Sequence, residues 1–293
     1  MWYIIPRIRG DRCLASPRTS QEFLFLDFAD KDISVMRIYH TLAATALLSC
    51  STLAQAAPNV TVSNNAAFFQ GKYGTAQDIN IYYDETDIQI SDKVWRIKLT
   101  LPYLSVKNLP VGAQISTGSV VNQGTSTQTR NTSGLGDVWL EGRYKVFAGS
   151  GLEPSVSPYL KIKFGTASAS SGLGSGKNDY ETGVMLQQVL TPELFPFLKV
   201  GYRFVGKPAG SNYRNIATYQ VGATYALSDK SFITPMLAGS QSIVRGGTNP
   251  ADAILAWNYN VTTKGSGFQL YVDKGLSTGS ANYGVGIGGQ IVF

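Results

Sequence analysis

The sequence predicts an all-β chain, a transmembrane antiparallel up-and-down β-barrel of about twelve strands preceded by a cleaved signal peptide. Three observations support this prediction: residues alternate in character over segments of about ten, an export signal precedes them, and the last segment ends on Phe293. Composition agrees, because only 15% of the 293 residues are charged and the mean hydropathy is −0.03. The apolar and polar faces of a membrane barrel cancel in such averages.

An export signal lies within the first 57 residues, but it does not begin at Met1. Residues 36–56 contain a basic residue, Arg37, then the apolar run 41–48, and then Ala54-Gln55-Ala56. This order is typical of a signal peptide, with a buried amphipathic helix as the alternative. We expect cleavage after Ala56, because cleavage after Ala57 would place Pro58 directly beside the scissile bond. Residues 1–35 are expected to be an over-extended, unstructured start, which leaves residues 57–293 for the barrel.

Strict alternation is clearest in the three segments 94–104, 137–146 and 198–204. Period two predicts strands with one apolar and one charged face. In a soluble sandwich the apolar face would pack a core, whereas in a membrane barrel it faces lipid and carries aromatic residues at both interfaces. The apolar row of the first segment begins at Trp95 and ends at Tyr103. This arrangement favours a lipid-facing row and a charged lumen.

The turns between these segments alternate between short and long, as in barrels with short periplasmic turns and longer external loops. Eleven strands follow Gln77 by this count, and the longest loop covers residues 108–135. An even number of strands with both ends periplasmic requires one more strand, which residues 60–69 can supply. The sequence therefore predicts twelve strands, with ten or fourteen as alternatives. Residues 57–74 form either this first strand or a plug that threads the lumen.

The last strand carries the most specific pattern in the chain. Its alternating apolar residues resemble the terminal strand that the barrel-insertion machinery of the outer membrane recognises. We therefore expect this machinery and outer-membrane lipid as partners, in the cell outer membrane of a Gram-negative bacterium. The residues of this predicted insertion signal are Tyr283, Val285, Ile287, Ile291 and Phe293.

Several segments, in order along residues 57–293, resemble the MetA-pathway of phenol degradation family of bacterial outer-membrane proteins. The resemblance implies a barrel that passes small hydrophobic or aromatic compounds. Gly165 precedes Thr166 where the family pattern has Pro, and we expect this difference to affect the geometry of the following loop. The segments that carry the resemblance are 71–74, 95–103, 133–137, 160–166, 173–180 and 201–204.

Residue types that most enzymes need are scarce after the predicted cleavage site. His40 is the single histidine, and the two cysteines are Cys13 and Cys50, so all three precede residue 57. We therefore expect no His-based catalysis, no His or Cys metal site, no cofactor and no enzymatic activity. The net charge of +6 does not indicate nucleic-acid binding, because no run of Lys or Arg exceeds two residues and no zinc-finger or RNP motif is present.

Alternation also predicts which side chains line the lumen. Six of the 25 Lys and Arg and five of the 19 Asp and Glu precede residue 57, so a basic excess remains for the barrel. One hypothesis is a channel whose basic wall favours small anionic or aromatic solutes. The other is a closed structural or surface-interaction barrel whose ion pairs only stabilise the wall. The predicted lining residues are Arg96, Lys98, Glu141, Arg143, Lys145, Tyr159, Lys161, Lys163, Lys199 and Arg203.

Overall fold

A computed structural model describes residues 58–116, 119–121, 126–150 and 152–293. Residues 1–35, the predicted signal peptide 36–56 and its cleavage residues Ala54 and Ala56 lie outside the described residues. No helix in the described ranges is long and apolar enough to cross a membrane. The strands are β1 (Asn59–Gly71), β2 (Ile79–Ser91), β3 (Trp95–Pro110), β4 (Gln114–Ser116), β5 (Ser119–Val121), β6 (Thr129–Leu135), β7 (Val138–Tyr144), β8 (Ser155–Phe164), β9 (Asp179–Gln187), β10 (Leu194–Phe204), β11 (Ile216–Ala226), β12 (Ser231–Ser240), β13 (Ala251–Asn260), β14 (Gly267–Gly275) and β15 (Tyr283–Val292).

Each wall strand pairs antiparallel with its neighbours in the chain, and the sheet closes where β1 pairs with β15. Strands β6 and β7 both pair with β3 and together make one staggered wall strand. The described residues therefore form a closed barrel of twelve wall strands, which confirms the predicted number. The predicted first strand, residues 60–69, lies within β1. It pairs with β2 and β15 over its length, so it is part of the wall and not a plug.

The outer face of the barrel is the apolar one. In β15 the outward residues Val285, Ile287 and Ile291 are 48–58% exposed, while Gln290 on the inner face is 4% exposed. A row of exposed apolar side chains is unfavourable in water and stable in hydrocarbon. Aromatic residues stand near the strand ends on this face, as with the paired rings of Tyr202 and Phe204. This surface is the lipid-facing belt of a transmembrane barrel.

Three polar side chains interrupt the outer face on β1 and β2. The Asn64 amide donates to Asp84 Oδ1 at 2.5 Å and to Thr86 Oγ1 at 3.2 Å. A polar group that faces lipid without a hydrogen-bond partner costs on the order of several kcal/mol. The three side chains thus satisfy one another within the wall.

The segment predicted as one long loop, residues 108–135, is only partly a loop. Strand β3 continues to Pro110 and pairs with β6, which extends one side of the barrel beyond its neighbours. Between them, β4 and β5 form a separate two-stranded hairpin. The sequence did not reveal β6 because Thr129–Leu135 contains no apolar row, as befits a strand that extends past the lipid-facing belt.

Candidate functional site

The hairpin β4–β5 folds into the mouth of the barrel at its long-loop end. Its Ile115 and Ser116 are each 1% exposed, although neither belongs to the wall. The Ile115 backbone N–H donates to the Gly172 carbonyl at 2.8 Å, in the loop between β8 and β9. The Ser119 hydroxyl donates to the Gly279 carbonyl at 3.0 Å, in the loop between β14 and β15. The hairpin therefore bridges opposite sides of the mouth.

A third loop also holds the hairpin. The Gln114 amide donates to the hydroxyl of Tyr213, between β10 and β11. At the other strand, Val121 belongs to an apolar cluster with Val205, Tyr213, Ile216 and Ile243. Hydrogen bonds to three loops hold the hairpin in the mouth, and Val121 adds an apolar contact there.

The hairpin is also part of a larger apolar cluster, which we call the apolar layer. Ile115 and Val120 belong to the same cluster of buried residues as inward side chains of many wall strands. This cluster joins residues from opposite sides of the barrel, so apolar side chains meet across the lumen. Its wall members include Phe69, Tyr83, Leu104, Val106, Met185, Phe197, Met236, Ile254 and Tyr271.

Charged side chains fill the lumen along one wall. Glu141 on β7 accepts from Arg96 at 2.6 Å and from Lys199 at 2.8 Å, and its side chain is 1% exposed. Lys199 lies on β10, and strands β8 and β9 separate β10 from β7. This triad therefore spans β3, β7 and β10 through the lumen.

Further ion pairs continue this wall. Arg203 donates to Glu181 Oε2 at 2.7 Å, and the Tyr159 hydroxyl donates to Glu181 Oε1 at 2.6 Å. Lys163 lies 3.1 Å from both Asp137 and Asp179. These side chains are buried, so each charge depends on its neighbours instead of on water.

Three cations also lie over aromatic rings in the lumen. Lys161 Nζ is 4.1 Å from the centroid of the Trp139 ring, and the Arg203 guanidinium is 5.0 Å from the same ring. Lys199 Nζ is 4.2 Å from the Tyr159 ring. Such contacts are stronger where water is excluded. The wall thus offers both cations and ring faces.

Nine of the ten predicted lining residues are buried on the inner face of the barrel: Arg96, Lys98, Glu141, Arg143, Tyr159, Lys161, Lys163, Lys199 and Arg203. The tenth, Lys145, follows the end of β7 and is half-buried at the short-turn mouth. Arg143 donates to the Met185 sulfur at 2.7 Å, and Lys98 lies 3.2 Å from Asp87.

The predicted basic excess is not what the buried lumen shows. Among the described residues seven Lys and Arg side chains are buried, and so are seven Asp and Glu side chains. The sequence-based set omitted most of the acids, although alternation places Asp87, Glu181 and Asp273 on inner faces. Trp139 was missed in the same way, despite its position between the two outward residues Val138 and Leu140. Within the described residues, no group of three or more His, Cys, Asp or Glu side chains could hold a metal ion.

Comparison with known proteins finds solved structures with a similar fold. No family model matches the chain, and no curated protein matches it. Among solved structures, an outer-membrane channel from Pseudomonas putida F1 is similar with a TM-score of 0.59 at 10% identity, over 82% of this chain and 97% of that one. The NanC porin is similar with a TM-score of 0.51 at 13% identity, over 78% and 97%. This chain has the fold of outer-membrane channels.

Similarity at this level of identity concerns the backbone and not the lining residues. The wall of ion pairs and the hairpin β4–β5 are therefore properties of this chain, to be interpreted from its own side chains. Together they form the candidate functional site, a charged lumen closed at one mouth by an inserted hairpin.

Proposed function

We propose that this chain is an outer-membrane channel for small molecules, with the hairpin β4–β5 as the gate of its external mouth. The observation that carries the proposal is the insertion of this hairpin between three loops, through contacts such as Ile115 with Gly172 and Ser119 with Gly279. A hairpin held by few hydrogen bonds can move without disturbing the wall, whose ladders continue around the barrel.

We also propose that the solutes are small aromatic or hydrophobic compounds, and that the chain is a member of the MetA-pathway of phenol degradation family. The ordered segments of the sequence that resemble this family support the proposal. The lumen supports it as well, because rings of Trp139 and Tyr159 lie beside the cations of the charged wall, and Phe197 lies in the apolar layer. Aromatic solutes can stack on such rings, and anionic ones are attracted by the cations.

A closed structural barrel is the second candidate. The burial of the whole charged network favours it, because Glu141 and Lys163 are each 1% exposed and hold their partners tightly. Twelve strands fall between small barrels that side chains fill and large ones that leave a channel. A measurement of conductance distinguishes the two candidates.

The hairpin contacts provide the test. The double variant Ser119→Ala and Tyr213→Phe removes one hydrogen bond at each of two anchors. Two such bonds contribute about 2 kcal/mol, so the open fraction in planar bilayers should rise at least about tenfold. Ser150→Ala, which removes an exposed contact with Glu153 at the short-turn end, is the matched control. If neither wild type nor the double variant conducts, the barrel is structural.

A further inference from the structure

The basic excess that the sequence predicts for the lumen lies instead at the long-loop end of the barrel. The lumen holds seven buried basic and seven buried acidic side chains among the described residues. The short-turn end is balanced as well, because four acids and four Lys lie in its turns. These eight charged residues are Asp92, Lys93, Lys145, Glu153, Glu193, Asp229, Lys230 and Lys264.

The long-loop end is strongly basic. Eight Lys and Arg lie in its loops or near the strand ends that adjoin them, against the acids Asp78 and Asp252. Residues 57–293 outside the described ranges contain no charged residue, so this count is complete for the barrel. Long loops face the cell exterior in such barrels, so the basic excess lies at the outer leaflet. The eight basic residues are Lys72, Lys107, Arg130, Lys177, Lys207, Arg214, Arg245 and Lys274.

Three of these lysines edge one arc of the outer face. Lys107 continues the outward row of β3, and its Nζ lies 5.4 Å from the centroid of the outward Tyr82 ring. Lys274 follows Val272 in the outward row of β14. Lys72 is exposed directly after β1, and β1 lies between β14 and β3 in the closed sheet. We call Lys72, Lys107 and Lys274 the lysine arc.

A row of polar side chains lies between the two outermost of these lysines. Lys107 of β3 pairs with Asn80 of β2, which pairs with Gln70 of β1. Gln70 pairs with Tyr283 of β15, whose hydroxyl donates to the side-chain oxygen of Gln70. Lys274 directly follows the last β14 residue that pairs with β15, which brings its position level with Tyr283. Amide and hydroxyl groups are thus flanked by a cation on each side.

Aromatic rings adjoin this row on its membrane side. The Phe68 ring lies with its centroid 5.0 Å from that of Tyr82 and 6.4 Å from that of Tyr283. These two tyrosines are 39% and 46% exposed on the outer face. Amphipathic rings collect where a membrane protein crosses from hydrocarbon to headgroups. The lysine arc therefore lies at the depth of the outer-leaflet headgroups.

We propose that the lysine arc binds the phosphates of lipopolysaccharide, the phosphorylated glycolipid of the outer leaflet. The phosphates of its lipid A sugars lie against the three ammonium groups, and sugar hydroxyls meet the amides of Asn80 and Gln70. The acyl chains cover the rings of Phe68 and Tyr82. Each cation near an anionic lipid surface adds to the attraction.

The position of the lysine arc favours a lipid over a dissolved anion. The arc lies on the outer face and not in the mouth, and a dissolved anion would need the cations but not the adjoining rings. The inference does not depend on transport, because a closed barrel would bind lipid in the same way.

Native mass spectrometry of the barrel, produced from Ala57 onward and folded in neutral detergent, measures its affinity for diphosphoryl lipid A. The triple variant Lys72→Gln, Lys107→Gln and Lys274→Gln should bind about a hundredfold more weakly, at about fivefold for each cation near an anionic lipid surface. Lys107→Gln alone should lower the affinity about fivefold. Heat-modifiable migration in gels verifies that each variant is folded.

Two matched triple variants serve as controls. The first removes three exposed lysines from the short-turn end and should leave the affinity unchanged: Lys93→Gln, Lys230→Gln and Lys264→Gln. The second removes three exposed cations from the other long loops: Lys177→Gln, Lys207→Gln and Arg245→Gln. Salt screens charges that lie more than about 10 Å from the lipid phosphates, so this variant should lose less than about threefold.

Dephosphorylated lipid A and inorganic pyrophosphate separate the lipid from its phosphates. Each should bind at least about tenfold more weakly than diphosphoryl lipid A. Unchanged affinity in the lysine-arc variant, or an equal loss in the second control, overturns the inference. Pyrophosphate that binds as tightly as lipid A also overturns it, since the arc would then be a site for dissolved anions. Because no outcome involves conductance, the proposed channel function stands or falls separately.

Discussion

The Glu141 triad should be among the most sensitive points of the barrel. The substitution Glu141→Gln keeps the size of the side chain but removes the charge that Arg96 and Lys199 share at 2.6 and 2.8 Å. Because Glu141 is 1% exposed, water cannot replace it. Breaking a buried ion pair from one side costs about 3–5 kcal/mol, since the partners are left uncompensated. We expect a loss of folding free energy of this order.

Urea titration of the barrel in lipid vesicles, followed by tryptophan fluorescence, measures this loss. With an m value of about 3 kcal/mol per molar, the unfolding midpoint should fall by about 1 M or more. Glu153→Gln, on an exposed turn, should change the folding free energy by less than about 0.5 kcal/mol. A Glu141→Gln midpoint equal to that of the control would refute the buried triad. Conductance of the same variant shows whether the triad also controls ion passage.

Three further predictions concern the outer face, Gly286 of β15 and the export signals. Ile287→Arg places a charge in the middle of the outward row of β15 and should destabilise the barrel by about 2–4 kcal/mol in vesicles; an unchanged urea midpoint would mean that this face does not contact lipid. Gly286→Ala should cost about 1–3 kcal/mol, because its Cβ overlaps the buried Tyr271 ring, and Gly286→Ala with Tyr271→Leu should recover part of this loss. Removal of Phe293 should lower the amount of folded barrel in outer-membrane fractions, and mass spectrometry of that material should find Ala57 as the first residue; another start would contradict the predicted cleavage site.

Alternation predicted the direction of most lining side chains, because neighbours in one strand are enough to decide it. Arg203 points inward since Tyr202 and Phe204 point outward. The same rule gives no information about partners through the lumen. Lys199 and Glu141 are 58 positions apart in the chain, and only the closed barrel shows that they meet.

The hairpin β4–β5 could not be predicted from its residues. Each of its strands has three residues, which is too short for a periodic pattern. Its position in the mouth depends on contacts with three separate loops, such as the hydrogen bond from Ser119 to Gly279, 160 positions away. Strand β6, residues 129–135, could not be predicted either, because it extends beyond the lipid-facing belt and therefore has no row of apolar residues. The position of the proposed gate therefore depends on tertiary contacts, whereas the wall strands follow from the local pattern of residues.

The gate itself is tested most directly by fixing the hairpin in its closed position. Both native cysteines precede residue 57, so in a chain produced from Ala57 onward Gln114→Cys with Tyr213→Cys introduces two thiols at a contact pair with no other thiol present. A short reducible bis-thiosulfonate reagent should join them, and single-channel recording follows conductance before and after reduction. We expect the joined barrel to be silent and reduction to restore conductance steps. Equal conductance in the joined and reduced states would contradict the gated channel.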